Sequence, residues 1–240
     1  MSIFFAEMIG TFLLILLGNG VTANAILPKT KGENGGWIVI TAGWGFAVTL
    51  SVYLVMQISG AHLNPAITLA MLLAKKVTWA QLPLYVLGQM LGAFLGSGAV
   101  YLIYINHFHG DKPSEYKLMS FCTKPQYKNH KINFLTETVA TFVLVLSVFA
   151  LIDVRNEVSM SIFPLIVGFV VFSIGLSLGG TTGYAINPVR DFCPRLFHSL
   201  INYPNKHSNE WEYAWVPVFA PLLGSAFAYV VYFECLNRLI

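Results

Sequence analysis

The sequence predicts an all-α membrane protein with six transmembrane helices and two half-length helices arranged as an inverted repeat. Three observations predict this fold: the composition, six long apolar runs, and an Asn-Pro pair at equivalent places in two halves. Of the 240 residues, 56% are hydrophobic and only 10% are charged, whereas soluble domains carry about 25% charged residues. Too little charge remains to cover a water-exposed surface, so we expect the chain to lie in a lipid bilayer.

Six apolar runs approach the roughly 20 residues that a helix needs to cross a bilayer. They cover residues 3–26, 36–58, 80–106, 132–153, 160–179 and 213–237. The first run begins at Ile3, with no basic leader and no small-residue cleavage pattern. We therefore interpret it as a retained span rather than a removed signal peptide.

The two halves of the chain resemble each other. AEMIGTFLLIL at 6–16 aligns with TETVATFVLVL at 136–146, and SGAHLNPA at 59–66 has a counterpart in TGYAINPV at 182–189. Each half contains two spans, a short Asn-Pro segment and a third span. Because three is an odd number, the second half must enter the bilayer upside down, which gives an inverted-topology repeat.

This organisation predicts a single domain over residues 1–240. Its repeat halves lie at about 1–106 and 131–240, and the polar stretch at 107–130 links them across one face of the protein.

Each Asn-Pro segment is too short to span the membrane, because it covers only residues 64–74 or 187–198. At 1.5 Å rise per residue, such a helix covers about half of the ~30 Å hydrocarbon core. It is stable at that depth only where protein or a water-filled cavity satisfies its free end. Since inversion brings the two segments in from opposite sides, we predict that their starts meet near the midplane.

Asn and Pro are both typical of helix starts. The Asn oxygen accepts hydrogen bonds from the first turn, and Pro suits the first helical position. Asn64 and Asn187 then each keep an amide NH₂ free to donate sideways, and the positive ends of two helix dipoles converge. Such a site accepts a water or alcohol oxygen and repels cations, which indicates a channel for neutral polar solutes. Two ordinary loops would not explain two copies at matching places.

Other kinds of site have little support in the sequence. Cys122, Cys193 and Cys235 are scattered, so they predict neither a disulfide framework nor a metal site. No basic cluster suits nucleic acid, and no nucleophile–base pair indicates a membrane enzyme. We therefore expect no metal, no cofactor and no nucleic-acid partner.

On these residues the chain resembles the aquaporin family, and more closely its aquaglyceroporin branch, typified by the bacterial glycerol facilitator. The similar segments run the length of the chain: AEMIGTF, SGAHLNPA, GQMLGA, TETVATF and NPVRDF. The resemblance implies six tilted spans and two half-helices around one pore per subunit, assembled as a homotetramer. It also implies passive conduction of glycerol, other small neutral solutes and water, with ions and protons excluded.

The resemblance further implies a selectivity filter toward the outer mouth, formed by Trp44, Gly175, Tyr184 and Arg190. Glycerol facilitators usually carry Phe where Tyr184 stands. Water-selective relatives tend to place a His at the position of Gly175, so this glycine is expected to leave space open. The rings would hold the carbon side of a polyol while Arg190 donates to its hydroxyls.

The remaining expectations from the resemblance concern the pore loops. The midplane motifs are Asn64, Pro65, Ala66, Asn187, Pro188 and Val189, and Val189 departs from the usual Ala by two added methyl groups beside the narrow region. Backbone carbonyls of Gly60, Ala61, His62, Gly183, Tyr184 and Ala185 are expected to accept from solute hydroxyls. Asp191 is expected to orient its loop. Cys193 replaces the usual Gly and is a candidate for mercurial sensitivity.

Glu7 and Glu137 lie inside apolar spans, where a carboxylate is costly and has a structural or functional reason. A proton relay would suit a coupled transporter. Their equivalent places in the repeat instead favour structural support, in which each accepts hydrogen bonds from N–H groups of the neighbouring pore loop.

Two alternatives for the function remain at this point. One is a water-preferring aquaporin, which Gly175 and Asp191 disfavour. The other is a coupled secondary transporter, which would require titratable groups along the path. The family keeps both termini in the cytoplasm, whereas the positive-inside rule favours the opposite orientation. We follow the family and expect a multi-pass protein of a plasma membrane, the inner membrane of a bacterium.

Overall fold

The computed structural model describes residues 2–110, 114–206 and 208–236. Residues 111–113 of the predicted linker, and residue 237 at the end of the sixth predicted span, lie outside these ranges. Within them every regular element is helical: α1 (Ser2–Ile26), α2 (Trp37–Ser59), α3 (Pro65–Leu73), α4 (Leu82–Ile103), α5 (Ile105–Phe108), α6 (Ser114–Met119), α7 (His130–Ile152), α8 (Phe163–Leu178), α9 (Pro188–Leu200) and α10 (Trp211–Tyr229), which continues as a π-helix over Val230–Cys235.

Five helices are long and apolar enough to cross a membrane: α1, α2, α4, α7, and α10 with its π-helical continuation. A sixth, α8, is apolar but has only 16 residues. Each of the six predicted runs therefore corresponds to a helix. The third run differs most from its prediction, because α4 ends at Ile103 and the chain turns at Tyr104 before α5.

The two halves contact each other where α2 crosses α8. A Cβ placed on Gly45 would lie 2.8 Å from the carbonyl oxygen of Gly168, and one placed on Gly168 would lie 2.5 Å from that of Gly45. The two backbones are therefore in direct contact. Gly45 and Gly168 stand equally far ahead of their motif asparagines, so the crossing relates equivalent places of the repeat.

Within each half, the first and last long helices pack together, α1 with α4 and α7 with α10. Gly88 and Gly96 lie against the carbonyls of Phe4 and Phe12, which a Cβ would approach to 2.5 and 2.8 Å. Because the later glycine of α4 contacts the later residue of α1, the two helices run parallel. The side on which α1 begins is called here the N-terminal face.

The linker folds onto the opposite side, called here the linker face. Phe108 and Phe121 are fully buried there, with their rings stacked at 5.1 Å. Asn19 of α1 donates its amide to the carbonyl of Phe121 at 3.0 Å. The linker thus shares a small apolar core with the ends of α1 and α4 and is anchored to the first helix.

Candidate functional site

The two half-length helices begin at the Asn-Pro pairs. Asn64 caps α3, with its Oδ1 accepting from the N–H of Ala66 at 2.9 Å. Asn187 caps α9 in the same way, accepting from Val189 at 3.1 Å and Arg190 at 3.3 Å. In both helices Pro occupies the first position, where its missing N–H leaves no hydrogen bond unmade.

The two helix starts meet and are hydrogen-bonded to each other's loops. Asn64 Nδ2 donates to the carbonyl of Ile186, and Asn187 Nδ2 donates to the carbonyl of Leu63, both at 2.8 Å. The expectation of a wholly free amide is therefore wrong for both residues: one N–H of each holds the opposite loop, because Leu63 and Ile186 present buried carbonyls that need donors. One N–H per Asn remains.

The loops ahead of the two starts share an unusual backbone. Positive φ angles occur at Gly60 (81°), Ala61 (51°) and Leu63 (54°) in the first loop, and at equivalent places in the second, which include Tyr184 (38°) and Ile186 (45°). Left-handed conformations at residues other than Gly cost on the order of 1–3 kcal/mol each and persist only where the surroundings fix them.

Glu7 and Glu137 supply that fixation. Glu7 accepts from the N–H groups of His62 at 3.0 Å and Leu63 at 2.7 Å. It also accepts from the Ser59 hydroxyl and the Gln89 amide. Glu137 accepts from the N–H groups of Ala185 and Ile186, both at 2.9 Å.

Both carboxylates are fully buried. Neither lines the cavity described next, so the geometry favours loop support over proton transfer.

A cavity of about 800 Å³ follows the loops from the linker-face side of the midplane to the N-terminal face. Its first end is bounded by Trp44, Tyr184 and Arg190, and its other end by Lys76, Asp153 and Glu157. One wall is apolar and formed by Val48, Val52, Met56, Leu144, Val148 and Val171. The facing wall consists of the two pore loops and the two motif asparagines.

Trp44, Tyr184 and Arg190 come together as the sequence predicts, and all three are more than nine-tenths buried. The Cζ of Arg190 lies 4.1 Å from the centroid of the Trp44 ring, in a cation–π contact. Arg190 Nη1 and the Tyr184 hydroxyl have no hydrogen-bond partner among the described residues. This end of the cavity therefore has buried, unpaired polar atoms beside aromatic rings.

Gly175, the fourth predicted filter residue, lies behind Tyr184 and outside the cavity lining. A Cβ on Gly175 would lie 2.9 Å from Cζ of Tyr184 and 2.7 Å from Cγ2 of Thr41. The tyrosine ring thus fills the space that this glycine leaves. The expectation of an open space beside Gly175 is therefore wrong. Trp37 packs edge-on against the same ring at 5.8 Å.

The expectations for Gly183, Val189 and Cys193 also change with the structure. Gly183 was expected to line the pore but lies against Thr123, away from the cavity. Gly60, Ala61, His62 and Ala185 line it.

Ala66 and Val189 are buried outside the lining, so the added methyl groups of Val189 do not narrow this cavity. Cys193 is also outside the lining and only 2% exposed, which leaves mercurial block without a structural basis.

Asp191 fastens α9 to the linker. Its carboxylate accepts from the N–H and hydroxyl of Thr123 at 2.7 and 2.5 Å, and it pairs with Arg195 at 2.8 Å. Arg195 in turn donates to the carbonyl of Thr123. All charged atoms of this pair are buried and hydrogen-bonded, as a buried ion pair requires, and Asp191 does not line the cavity.

The mouth at the N-terminal face carries charge that the sequence reading did not place on the path. Lys76, Asp153 and Glu157 line it. Asp153 is held by Arg155 and by the Tyr232 hydroxyl at 2.5 Å. Hydrogen bonds from Arg155, and then from Tyr232, hold the pKa of the Asp153 carboxyl well below its usual range.

Several contacts were not foreseen from the sequence. The hydrogen-bonded carbonyls belong to Leu63 and Ile186, whose signal was their place directly before the motif Asn. The indole of Trp44 donates to the Thr22 hydroxyl at 3.1 Å, and no pattern in the sequence points to that contact. Among the described residues, no group of three or more His, Cys, Asp or Glu side chains could hold a metal ion.

Comparison with known proteins gives consistent matches over the whole chain. The family model described as Major intrinsic protein matches residues 1–232. A probable glycerol uptake facilitator protein of Thermotoga maritima is 50% identical over 93% of this chain and 95% of its own length. The glycerol uptake facilitator protein of Streptococcus pneumoniae strain R6 is 45% identical over 97% and 98%. The X-ray structure of the aquaglyceroporin from Plasmodium falciparum superposes with a TM-score of 0.89 at 31% identity, covering 99% of this chain and 97% of that one.

Proposed function

We propose, on the premise that this chain belongs to the major intrinsic protein family, that it is a passive transmembrane channel for glycerol, other small neutral solutes and water. The observation that carries the proposal is the two-sided cavity. One wall is a stripe of aliphatic side chains, and the other is formed by the two pore loops with Asn64 and Asn187.

A polyol fits such a cavity because it is itself two-sided. Its carbon edge lies against the apolar wall, formed in part by Val52 and Val148. Its hydroxyls donate to the loop carbonyls of Gly60, Ala61, His62, Tyr184 and Ala185 and accept from the remaining asparagine N–H groups. These contacts replace hydrogen bonds that the solute leaves behind in water, so passage needs neither a bond-making step nor a cofactor.

The narrow end would set selectivity. Trp44 and Tyr184 form apolar walls, and Arg190 donates from one side to a solute oxygen. The positive guanidinium and the two helix N-termini at Asn64 and Asn187 oppose cations, hydronium included. A water molecule held by both asparagine donors cannot pass a proton onward. Ion and proton exclusion follow from the same groups that bind the neutral solute.

The remaining site residues support this geometry. Pro65 and Pro188 begin the two helices, and Glu7, Glu137 and Asp191 hold the loops in place. Gly175 provides the seat for the Tyr184 ring.

We place the protein in the plasma membrane of a bacterium, with six helices spanning the lipid bilayer. The first and last described residues, Ser2 and Leu236, lie on the N-terminal face, which we assign to the cytoplasm. The wide, charged mouth at Lys76 and Asp153 then opens inward and the filter faces outward. We further infer a homotetramer with one pore in each subunit.

One observation favours a water-preferring channel as the second candidate. The ring of Tyr184 occupies the space beside Gly175, and its hydroxyl is buried there without a partner among the described residues. A lumen reduced in this way would still pass water but would slow a three-carbon polyol.

Isotope exchange in proteoliposomes separates a channel from a coupled transporter. For a channel, labelled glycerol flux should rise in proportion to concentration and be unaffected by proton or sodium gradients. Protein-free liposomes serve as the control. Saturation of the flux at low millimolar glycerol, together with acceleration by a proton gradient, would contradict a passive channel.

A further inference from the structure

Trp44 is the largest wall of the narrow end, and its ring rests on the first helix. A Cβ placed on Gly18 of α1 would lie 2.6 Å from Cη2 of Trp44 and nearer still to Cζ3 and Cε3. A point so close to three consecutive ring atoms lies above the face of the ring rather than at its edge. The indole face is therefore in contact with the backbone of Gly18, where any side chain would displace it.

A second group on α1 fixes the rotation of the same ring. Thr22 lies one turn after Gly18, on the same face of the helix. Its hydroxyl accepts from Trp44 Nε1 at 3.1 Å and donates to the carbonyl of Gly18 at 3.0 Å. The only polar atom of the indole is thereby paired and directed away from the cavity.

Arg190 covers the other face of the indole. Its Cζ lies 4.1 Å from the ring centroid, and the face against Gly18 has no room for a guanidinium. The ring is thus held between the α1 backbone and the filter arginine. A push from α1 therefore presses the ring against Arg190, and both side chains bound the opening that Trp44, Tyr184 and Arg190 enclose.

We infer that Gly18 and Thr22 are positioning residues that set the width of the filter, and with it the largest neutral solute that passes. Neither lines the cavity, so both act through Trp44. The inference rests on the proposed function in that it takes this opening to be the path of the solute.

The direct test is Gly18→Ala, with Gly20→Ala as its matched control. Gly20 is on the same helix, and a Cβ there would meet nothing within 4 Å. Carbon atoms pack at about 3.5–4.0 Å, so the added methyl group must displace the ring by about 1 Å. We expect glycerol permeability of proteoliposomes to fall about tenfold in Gly18→Ala, water permeability to fall much less, and both to stay at the wild-type level in Gly20→Ala.

A double-variant cycle identifies Trp44 as the intermediary. In a Trp44→Phe background the smaller ring leaves room, so Gly18→Ala should cause little further loss of glycerol permeability. Thr22→Val, which keeps the shape but removes the acceptor for Nε1, should lower the glycerol-to-water ratio in the same direction. Protein yield and the midpoint of thermal unfolding, measured on each variant, separate a narrowed filter from misfolding.

The outcomes are distinct. Equal losses for glycerol and water in Gly18→Ala, or the same loss with and without Trp44, would overturn the inference. A wild-type protein that passes water but no glycerol would instead remove the glycerol proposal. The inference would then be decided by whether Gly18→Ala lowers water permeability in the wild-type background and not in Trp44→Phe.

Discussion

At the scale of single residues, Tyr184 is the member of the proposed filter that departs from the residue implied by the resemblance, which is phenylalanine. Its backbone is left-handed, its ring fills the space beside Gly175, and its hydroxyl is buried without a partner among the described residues. The family resemblance implies that Tyr184 is a filter residue. Its ring packs against Trp37, which lies far away in the chain, so the sequence could not predict where the ring would lie.

Replacing Tyr184 by Phe tests what that hydroxyl does. A buried hydroxyl without a hydrogen bond costs about 1–3 kcal/mol, so we expect Tyr184→Phe to raise the midpoint of thermal unfolding in detergent and to increase glycerol permeability. Tyr85→Phe is the control, because the Tyr85 hydroxyl donates to the carbonyl of Ser59 at 2.7 Å and its loss should destabilise the protein. A drop in glycerol permeability for Tyr184→Phe would show instead that the solute binds this hydroxyl.

Thiol chemistry is a second test at the residue scale. Burial of Cys193 away from the cavity predicts that mercuric chloride leaves glycerol and water permeability unchanged. Cys235 is exposed and lies at the end of the last helix, so it reacts without blocking the path. Inhibition that disappears in Cys193→Ser would mean that the thiol reaches the pore.

At the scale of elements, the path exists because two short helices and two strained loops are held in one arrangement. The helix starts can be predicted from the sequence, because Asn-Pro favours the start of a helix through local interactions. The sequence does not predict the hydrogen bonds between the halves, in which Asn64 donates to Ile186 and Asn187 donates to Leu63. These hydrogen bonds depend on how closely the two halves approach, which contacts such as that between Gly45 and Gly168 decide.

Glu7→Gln tests the fixation of the first loop. Glu7 accepts four hydrogen bonds. In Glu7→Gln one acceptor oxygen becomes an NH₂ group, which is itself a donor and cannot accept from the donors that it faces. Each hydrogen bond to a charged group contributes about 1.5–3 kcal/mol, so we expect a large fall in the unfolding midpoint and loss of glycerol permeability. Glu137→Gln should act alike on the second loop. A Glu7→Gln protein with wild-type stability and flux would show that the loop holds its shape without the carboxylate.

Asp153 at the N-terminal-face mouth makes a prediction about pH. Its pKa is lowered from its usual 3.8, so its stabilising contribution is complete above that value and is lost only as the pH falls below it. Between pH 5 and 8 Asp153 should therefore add no pH dependence. Asp153→Asn and wild type should show parallel profiles of glycerol permeability over this range. Profiles that diverge toward pH 5 would contradict the assignment.

At the scale of the whole molecule, composition and repetition were sufficient to predict the fold class, the six spans and the two half-helices. They could not show that α8 is only 16 residues long, or that the linker packs as a core on the linker face. The expectations that the resemblance implied for Gly175 and Val189 were wrong, because the space beside each residue depends on side chains distant in the chain. The resemblance also implied a filter position for Arg190, whereas its contact with Trp44 required the packed structure.

Stopped-flow light scattering on proteoliposomes tests the central claim most directly. Vesicles are first shrunk with an impermeant osmolyte to obtain water permeability, then exposed to an inward glycerol gradient to follow reswelling. We expect reswelling far faster than in protein-free liposomes and a marked slowing in Gly18→Ala but not in Gly20→Ala. Fast water flow with glycerol entry no faster than through lipid alone would contradict it, and would identify the Tyr184 filter as one that passes only water.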